Sequence, residues 1–78
     1  QLYPNPASAV LTIRAQGLSG QAKLVVLDAL GRSVLESTVT PNGGEGRTDL
    51  AIDRLARGPY LLRMETEGAV WLRTFIAQ

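Results

Sequence analysis

The 78-residue chain contains no cysteine and no histidine. The lack of cysteine excludes a disulfide framework, a thiolate nucleophile and a cysteine-ligated zinc site. The lack of histidine excludes an imidazole base, a Ser-His-Asp triad and a histidine-ligated metal. Since these are the side chains that most often carry chemistry at neutral pH, we expect no enzyme activity, no cofactor and no small-molecule substrate.

The chain also has little charge and no long hydrophobic run. Charged residues make up 19% of it, and the formal net charge is only +1. The arginines are spread singly along the sequence, whereas a nucleic-acid-binding domain usually gathers them on one face. The apolar run Leu24–Leu27 is far shorter than the roughly 20 residues that cross a bilayer. We therefore expect neither a nucleic-acid partner nor a membrane-spanning helix.

The length sets the domain organisation. A chain this short supports one hydrophobic core, and 45% hydrophobic residues are ordinary for a folded domain. We therefore treat residues 1–78 as one domain and expect it to be monomeric. The sequence opens with neither Met nor a basic-then-apolar secretion signal, so we interpret it as a fragment of a larger protein, its C-terminal domain.

Short apolar segments alternate with turn signals along the chain. No window of eleven or more residues keeps a 3.6-residue period, whereas several segments alternate or are rich in β-branched residues. This spacing predicts an all-β sandwich or small barrel. The predicted strands are Ala9–Ala15, Ala22–Asp28, Ser33–Val39, Thr48–Ile52, Pro59–Thr66 and Ala69–Ala77.

The apolar positions of these strands predict the core, because a sandwich buries alternate residues of both sheets. The candidates are Val10 or Leu11, Ile13, Leu24, Val26, Val34, Leu50, Ile52, Leu55, Leu62 and Ile76.

Two segments between strands are predicted to be turns. Asp28–Arg32 indicates a tight hairpin, because the Asp28 carboxylate can bond backbone two residues on and Gly31 supplies a positive φ. Pro41-Asn42-Gly43-Gly44 is the strongest loop signal in the chain, and Glu45-Gly46 extends it.

The segment Leu55–Tyr60 indicates a corner. Gly58-Pro59 ends any helical start within one turn, and Leu55 is placed to pin the corner to the core. In immunoglobulin-like sandwiches a tyrosine that opens a strand after such a corner bonds its hydroxyl to backbone a few residues upstream. We expect Tyr60 to do the same.

The last predicted strand is apolar on both faces. Trp71, Arg73 and Phe75 fall on one face, and Val70, Leu72, Thr74 and Ile76 fall on the other. Three interpretations stay open: Trp71 stacks on a sugar, the strand is covered within the domain, or the strand is an edge that docks a partner by strand addition.

Three blocks of sequence cover most of the chain. Tyr3-Pro4-Asn5-Pro6-Ala7-Ser8 precedes Val10–Ile13, Asp28-Ala29-Leu30-Gly31-Arg32 precedes Ser33-Val34, and Leu55-x-x-Gly58-x-Tyr60 precedes Leu61-Leu62. In this order and spacing they resemble the type A C-terminal sorting domain of the type IX secretion system.

The resemblance implies a fold and a function. The family fold is an immunoglobulin-like antiparallel β-sandwich of about seven short strands. The domain is the non-catalytic address label of a larger cargo protein in certain Gram-negative bacteria. The cargo enters the periplasm, the outer-membrane type IX translocon and its shuttle recognise the label, and a surface sortase commonly removes it. The cargo is then secreted or held at the cell surface.

The resemblance also implies site residues, carried over position by position. They are Tyr3, Pro4, Asn5, Pro6, Asp28, Gly31, Arg32, Leu55, Gly58, Tyr60, Arg73, Phe75 and Ile76. Alternatively, the chain is a small carbohydrate-binding module or an inert spacer of a multidomain secreted enzyme.

Overall fold

A computed structural model describes residues 2–3, 10–18 and 20–78. The described part contains six strands of six to nine residues and one two-residue strand. In chain order they are β1 (Leu2–Tyr3), β2 (Val10–Gln16), β3 (Ala22–Leu27), β4 (Ser33–Val39), β5 (Glu45–Ala51), β6 (Gly58–Thr66) and β7 (Ala69–Ala77).

The strands form two antiparallel sheets. One has the order β1-β2-β5 and the other the order β4-β3-β6-β7. The connection from β5 to β6, residues 52–57, carries the chain from the first sheet to the second. No helix in the described part of the chain has the length and hydropathy that a membrane span requires.

Both sheets contribute to one cluster of buried side chains. Leu11, Ile13 and Leu50 come from the three-stranded sheet, and the four-stranded sheet supplies the larger share. The largest fully buried side chains are those of Phe75, Leu11, Leu24, Ile52 and Val26. Burial of each such side chain stabilises the fold by about 1.5–3 kcal/mol, so both sheets depend on this shared cluster.

The all-β prediction is confirmed, and so are two antiparallel sheets built from short strands. The expected number of about seven strands is reached only by counting the two-residue β1; the full strands number six among the described residues. The strand predicted at Thr48–Ile52 is wrong at its start, since β5 begins at Glu45 inside the segment predicted as loop.

Gly46 explains why this loop signal gives way to a strand. It is buried and lies opposite Ala15 of β2. An added Cβ at Gly46 would meet Cγ1 of Val39 at 2.5 Å and Cδ1 of Leu18 at 2.8 Å. This glycine is therefore a packing position that lets Val39 and Leu18 close over β5.

Two predicted core residues are exposed. Val34 lies at an irregularity where the register between β3 and β4 shifts, so the neighbouring Leu35 packs against the core instead. Ile76 lies on the outer face of β7, and its neighbours Phe75 and Ala77 are buried. The choice between Val10 and Leu11 resolves in favour of Leu11, and Leu55 is only partly buried.

We expect Gly46→Ala to lower the free energy of unfolding by about 1–3 kcal/mol, because the added methyl group displaces Val39 and Leu18 from close packing. Urea unfolding followed by the fluorescence of the single tryptophan measures this change. Gly20→Ala is the matched control, since no described atom lies within 4 Å of its Cβ position and its φ is not positive. Equal stability of the two variants would contradict the packing role of Gly46.

Candidate functional site

The Asp28 carboxylate organises the hairpin between β3 and β4. Its Oδ1 accepts hydrogen bonds from the backbone N–H groups of Leu30 and Arg32, each at 2.9 Å. Its Oδ2 accepts one from Nε of Arg32, also at 2.9 Å. Gly31 has φ +81°, a conformation that favours glycine, and its N–H donates to the Asp28 carbonyl at 3.0 Å. The predicted turn is confirmed, and its motif residues Asp28, Gly31 and Arg32 form hydrogen bonds with one another.

These contacts also lower the pKa of the Asp28 carboxyl group. The backbone N–H of Arg32 holds the pKa of Asp28 below its ordinary value of 3.8, and the Arg32 guanidinium and the Leu30 N–H add to this effect. Removal of water from the carboxylate opposes the shift. The ionised form of Asp28 therefore stabilises the turn.

The corner before β6 has the expected geometry. The Tyr60 hydroxyl donates to the Ala56 carbonyl at 2.6 Å, and the N–H of Leu55 donates to the Ile52 carbonyl at 3.0 Å. Gly58 has φ +141°, which a residue with a side chain rarely adopts. The Tyr60 ring stacks on Phe75, with ring centroids 5.7 Å apart and planes inclined by 21°.

Strand register brings the hairpin, the corner and the end of β7 to one end of the four-stranded sheet. Leu27 lies opposite Leu61, and Leu61 lies opposite Thr74. The Asp28 hairpin follows Leu27, the corner precedes β6, and β7 ends beside the start of β6. We name this region, residues 28–32, 53–60 and 74–78, the motif end.

The N-terminal motif is described only in part. Tyr3 pairs with Thr12 of β2, so this strand adds to the three-stranded sheet. Pro4, Asn5 and Pro6 lie outside the described residues.

The three site residues predicted in β7 have different surroundings. Phe75 is buried in the core, Ile76 is half exposed on the outer face, and Arg73 is exposed on the same face as Phe75. Nη1 of Arg73 donates to the carbonyl oxygen of Leu72 at 2.9 Å.

Sequence reasoning missed a groove between the two sheets, away from the motif end. It has a volume of about 380 Å³, and its lining includes Ile13, Ala15, Leu18, Met64, Trp71 and Arg73. Trp71 and Arg73 share the core-facing side of β7 with the buried Phe75 and yet stay exposed, so the two sheets do not close over them. The sequence pattern placed these residues on one face but carried no signal that this face opens into a groove.

The described residues offer no metal centre. Within residues 2–3, 10–18 and 20–78 there is no group of three or more Asp or Glu side chains that could hold a metal ion.

We expect Tyr60→Phe to lower the free energy of unfolding by about 0.5–1.5 kcal/mol, because it removes the hydrogen bond to Ala56 and keeps the ring on Phe75. Tyr60→Leu also removes the stacked ring and should cost more. Urea unfolding measures both variants, and a Tyr60→Phe domain as stable as the original would contradict the role of the hydroxyl.

We expect the stability conferred by Asp28 to depend on pH. Its folded-state pKa is lowered, so its contribution is fully present above the unfolded-state pKa and is lost as pH falls through the folded-state pKa. Asp28→Asn should thus be less stable than the original domain at pH 7, and the difference should shrink in acid below pH 3.8. Urea unfolding across pH tests this, with Asp53→Asn as an exposed-carboxylate control. A difference independent of pH would contradict the assignment.

Comparison with known proteins gives one family. The family model described as "Secretion system C-terminal sorting domain" matches residues 1–78, the whole chain. Comparison with curated proteins finds no significant match. Since the matched residues include the hairpin, the corner and β7, the chain belongs to the secretion system C-terminal sorting domain family.

Proposed function

We propose that this domain directs a larger cargo protein through the type IX outer-membrane translocon and to the cell surface of a Gram-negative bacterium. The family supports a C-terminal sorting signal for type IX secretion. The observation that carries the finer proposal is that Asp28 and Tyr60 of the motifs form hydrogen bonds within the domain. Because these bonds exist only in the folded domain, recognition of the motifs depends on folding. A shuttle and a surface sortase are the further partners we propose.

The fold itself belongs to this proposal. The sheet orders β1-β2-β5 and β4-β3-β6-β7, together with the hydrogen bond of Tyr60 at the start of β6, are typical of an immunoglobulin-like sandwich. Such a sandwich places turns and strand ends at two opposite poles. The motif end is one of these poles, and a partner can read it as one surface.

We propose distinct roles for the motif residues. Asp28, Gly31 and Tyr60 shape the motif end, because the polar groups that define them bond within the domain. Arg32 and Ile76 project from it, and the Arg32 side chain is 72% exposed. Leu55, Gly58 and Phe75 hold the corner and β7 in place, and Tyr3, Pro4, Asn5 and Pro6 complete the recognition motif.

Neither alternative function is favoured by the family match. A carbohydrate-binding surface needs exposed aromatic rings that a sugar can reach, and among residues 10–18 and 20–78 Trp71 is the one exposed ring, since Tyr60 and Phe75 are buried. An inert spacer gives no reason for the internal hydrogen bonds of the hairpin and the corner to match the motifs of a sorting family.

We expect residues 1–78, fused behind a periplasmic reporter, to carry the reporter to the surface or medium of a type IX-competent host and not of a translocon-deficient one. Gly46→Ala should lower the exported fraction because fewer domains are folded, and Gly20→Ala should leave it unchanged. Protease resistance of the periplasmic pool reports folding. A folded fusion that stays in the periplasm, or equal export without the domain, would contradict the proposal.

A further inference from the structure

β7 lies at the edge of the four-stranded sheet. Among the described strands it pairs only with β6, and their two-residue turn at Glu67–Gly68 is flanked by the pair Thr66 and Ala69. In a two-residue hairpin this flanking pair exchanges hydrogen bonds, and so does every second pair beyond it. The backbone N–H and C=O groups of residues 70, 72 and 74 therefore point away from β6. We name residues 70–74 the open edge.

Arg73 lies within the open edge, next to its central residue Leu72. Its guanidinium Nη1 donates to the carbonyl oxygen of Leu72 at 2.9 Å, and Leu72 is one of the residues whose carbonyl points outward. Charged side chains are a common means of keeping an edge strand from pairing indiscriminately. The Leu72 carbonyl thus has a partner that can be exchanged for a backbone N–H of another chain.

Both faces of the open edge carry exposed apolar surface. On the outer face Val70 is 58% and Leu72 51% exposed, and on the inner face Trp71 is 41% exposed. Exposed apolar side chains on both faces of one edge strand form a patch that an added strand would cover.

The groove beneath the open edge has a definite chemical character. Leu62, Met64 and Trp71 give it apolar walls, and Arg14 and Arg73 are also among its lining residues. No Asp or Glu is among its described lining residues, although Arg14 forms an ion pair with Glu45 at 2.7 Å. Since Glu45 already compensates the charge of Arg14, the charge that this apolar groove offers a ligand is that of Arg73, which favours a ligand combining apolar bulk with negative charge.

We propose that the open edge binds an extended segment of a partner protein as an added antiparallel strand, with one carboxylate side chain on Arg73 and an apolar side chain on Trp71. A peptide is the occupant because the outward backbone groups need complementary backbone groups. The carboxylate follows from charge complementarity in the groove. The inference rests on the proposed function, because that function implies that a protein of the secretion machinery supplies the segment.

The docking step exchanges hydrogen bonds without leaving any group unpaired. A backbone N–H of the partner donates to the Leu72 carbonyl, and the partner carboxylate accepts hydrogen bonds from the released guanidinium of Arg73. Side chains of the added strand alternate, so those opposite Trp71 and Arg73 enter the groove and those between them cover Val70 and Leu72.

A synthetic peptide tests the site with the full 78-residue chain. The probe is an eight-residue peptide in which threonine alternates with leucine and glutamate. Its matched controls carry glutamine in place of glutamate, or N-methyl groups on the amides that would pair. We expect it to change the fluorescence of Trp71, the single tryptophan, and to shift amide resonances of residues 69–75. The glutamine peptide should bind roughly two- to fivefold more weakly, and the N-methylated one should not bind measurably.

Variants of the domain separate the contribution of Arg73 from general charge. Arg73→Gln should remove the preference for glutamate over glutamine, and Arg47→Gln, an exposed arginine on the opposite sheet, should keep it. Binding that is unaffected by N-methylation, resonance shifts confined to other strands, or an equal glutamate preference in both variants would overturn the proposal. So would a dimer that is detected by sedimentation and located at the open edge by concentration-dependent amide shifts of residues 69–75.

The export assay distinguishes this inference from the proposed function. If the original domain exports the reporter but does not bind the peptide, the docking site is wrong and the sorting function stands. If it binds the peptide with the expected preference but exports nothing, the sorting function is wrong and the docking site stands.

Discussion

The hydrogen bond from the Tyr60 hydroxyl to the Ala56 carbonyl fixes the connection between β5 and β6, residues 52–57, to the start of β6. This connection carries the chain from one sheet to the other. The Tyr60 ring lies in the core and stacks on Phe75 of β7. One side chain thus sets the position of the corner at its polar tip and that of the last strand at its apolar ring. The chain has no cysteine, so no disulfide can do the same.

Much of the fold could be predicted because, in the Asp28 hairpin and in the corner before β6, local chemistry and tertiary structure favour the same conformation. Asp28 and Gly31 specify a hairpin by hydrogen bonding and positive φ within five residues, so no distant contact can change the outcome. The corner around Gly58 is equally local. Its tyrosine was predictable because a hydroxyl at the start of a strand after a tight corner has a carbonyl within reach.

The errors fall where tertiary packing decides. Gly46 belongs to a glycine-rich stretch that reads as loop, yet it pairs with Ala15 because the absence of a side chain lets Val39 and Leu18 approach. The two faces of β7 are similar in hydrophobicity, so the pattern could sort its residues into faces without showing which face is buried. The groove has the same origin, since its walls come from strands far apart in sequence.

The separation between shaping residues and exposed residues has a consequence for recognition. Polar atoms of Asp28 and Tyr60 are already bonded within the domain, where they hold the hairpin and the corner in shape. For a partner that reads the folded domain, we therefore assign the main contacts to groups left at the surface by this arrangement. At the motif end these include the side chains of Arg32 and the 78% exposed Leu30, held by the Asp28 carboxylate. Along β7 they include the outward backbone groups of the open edge. Under the proposed function, the motifs mark the family chiefly because they hold these other groups in place.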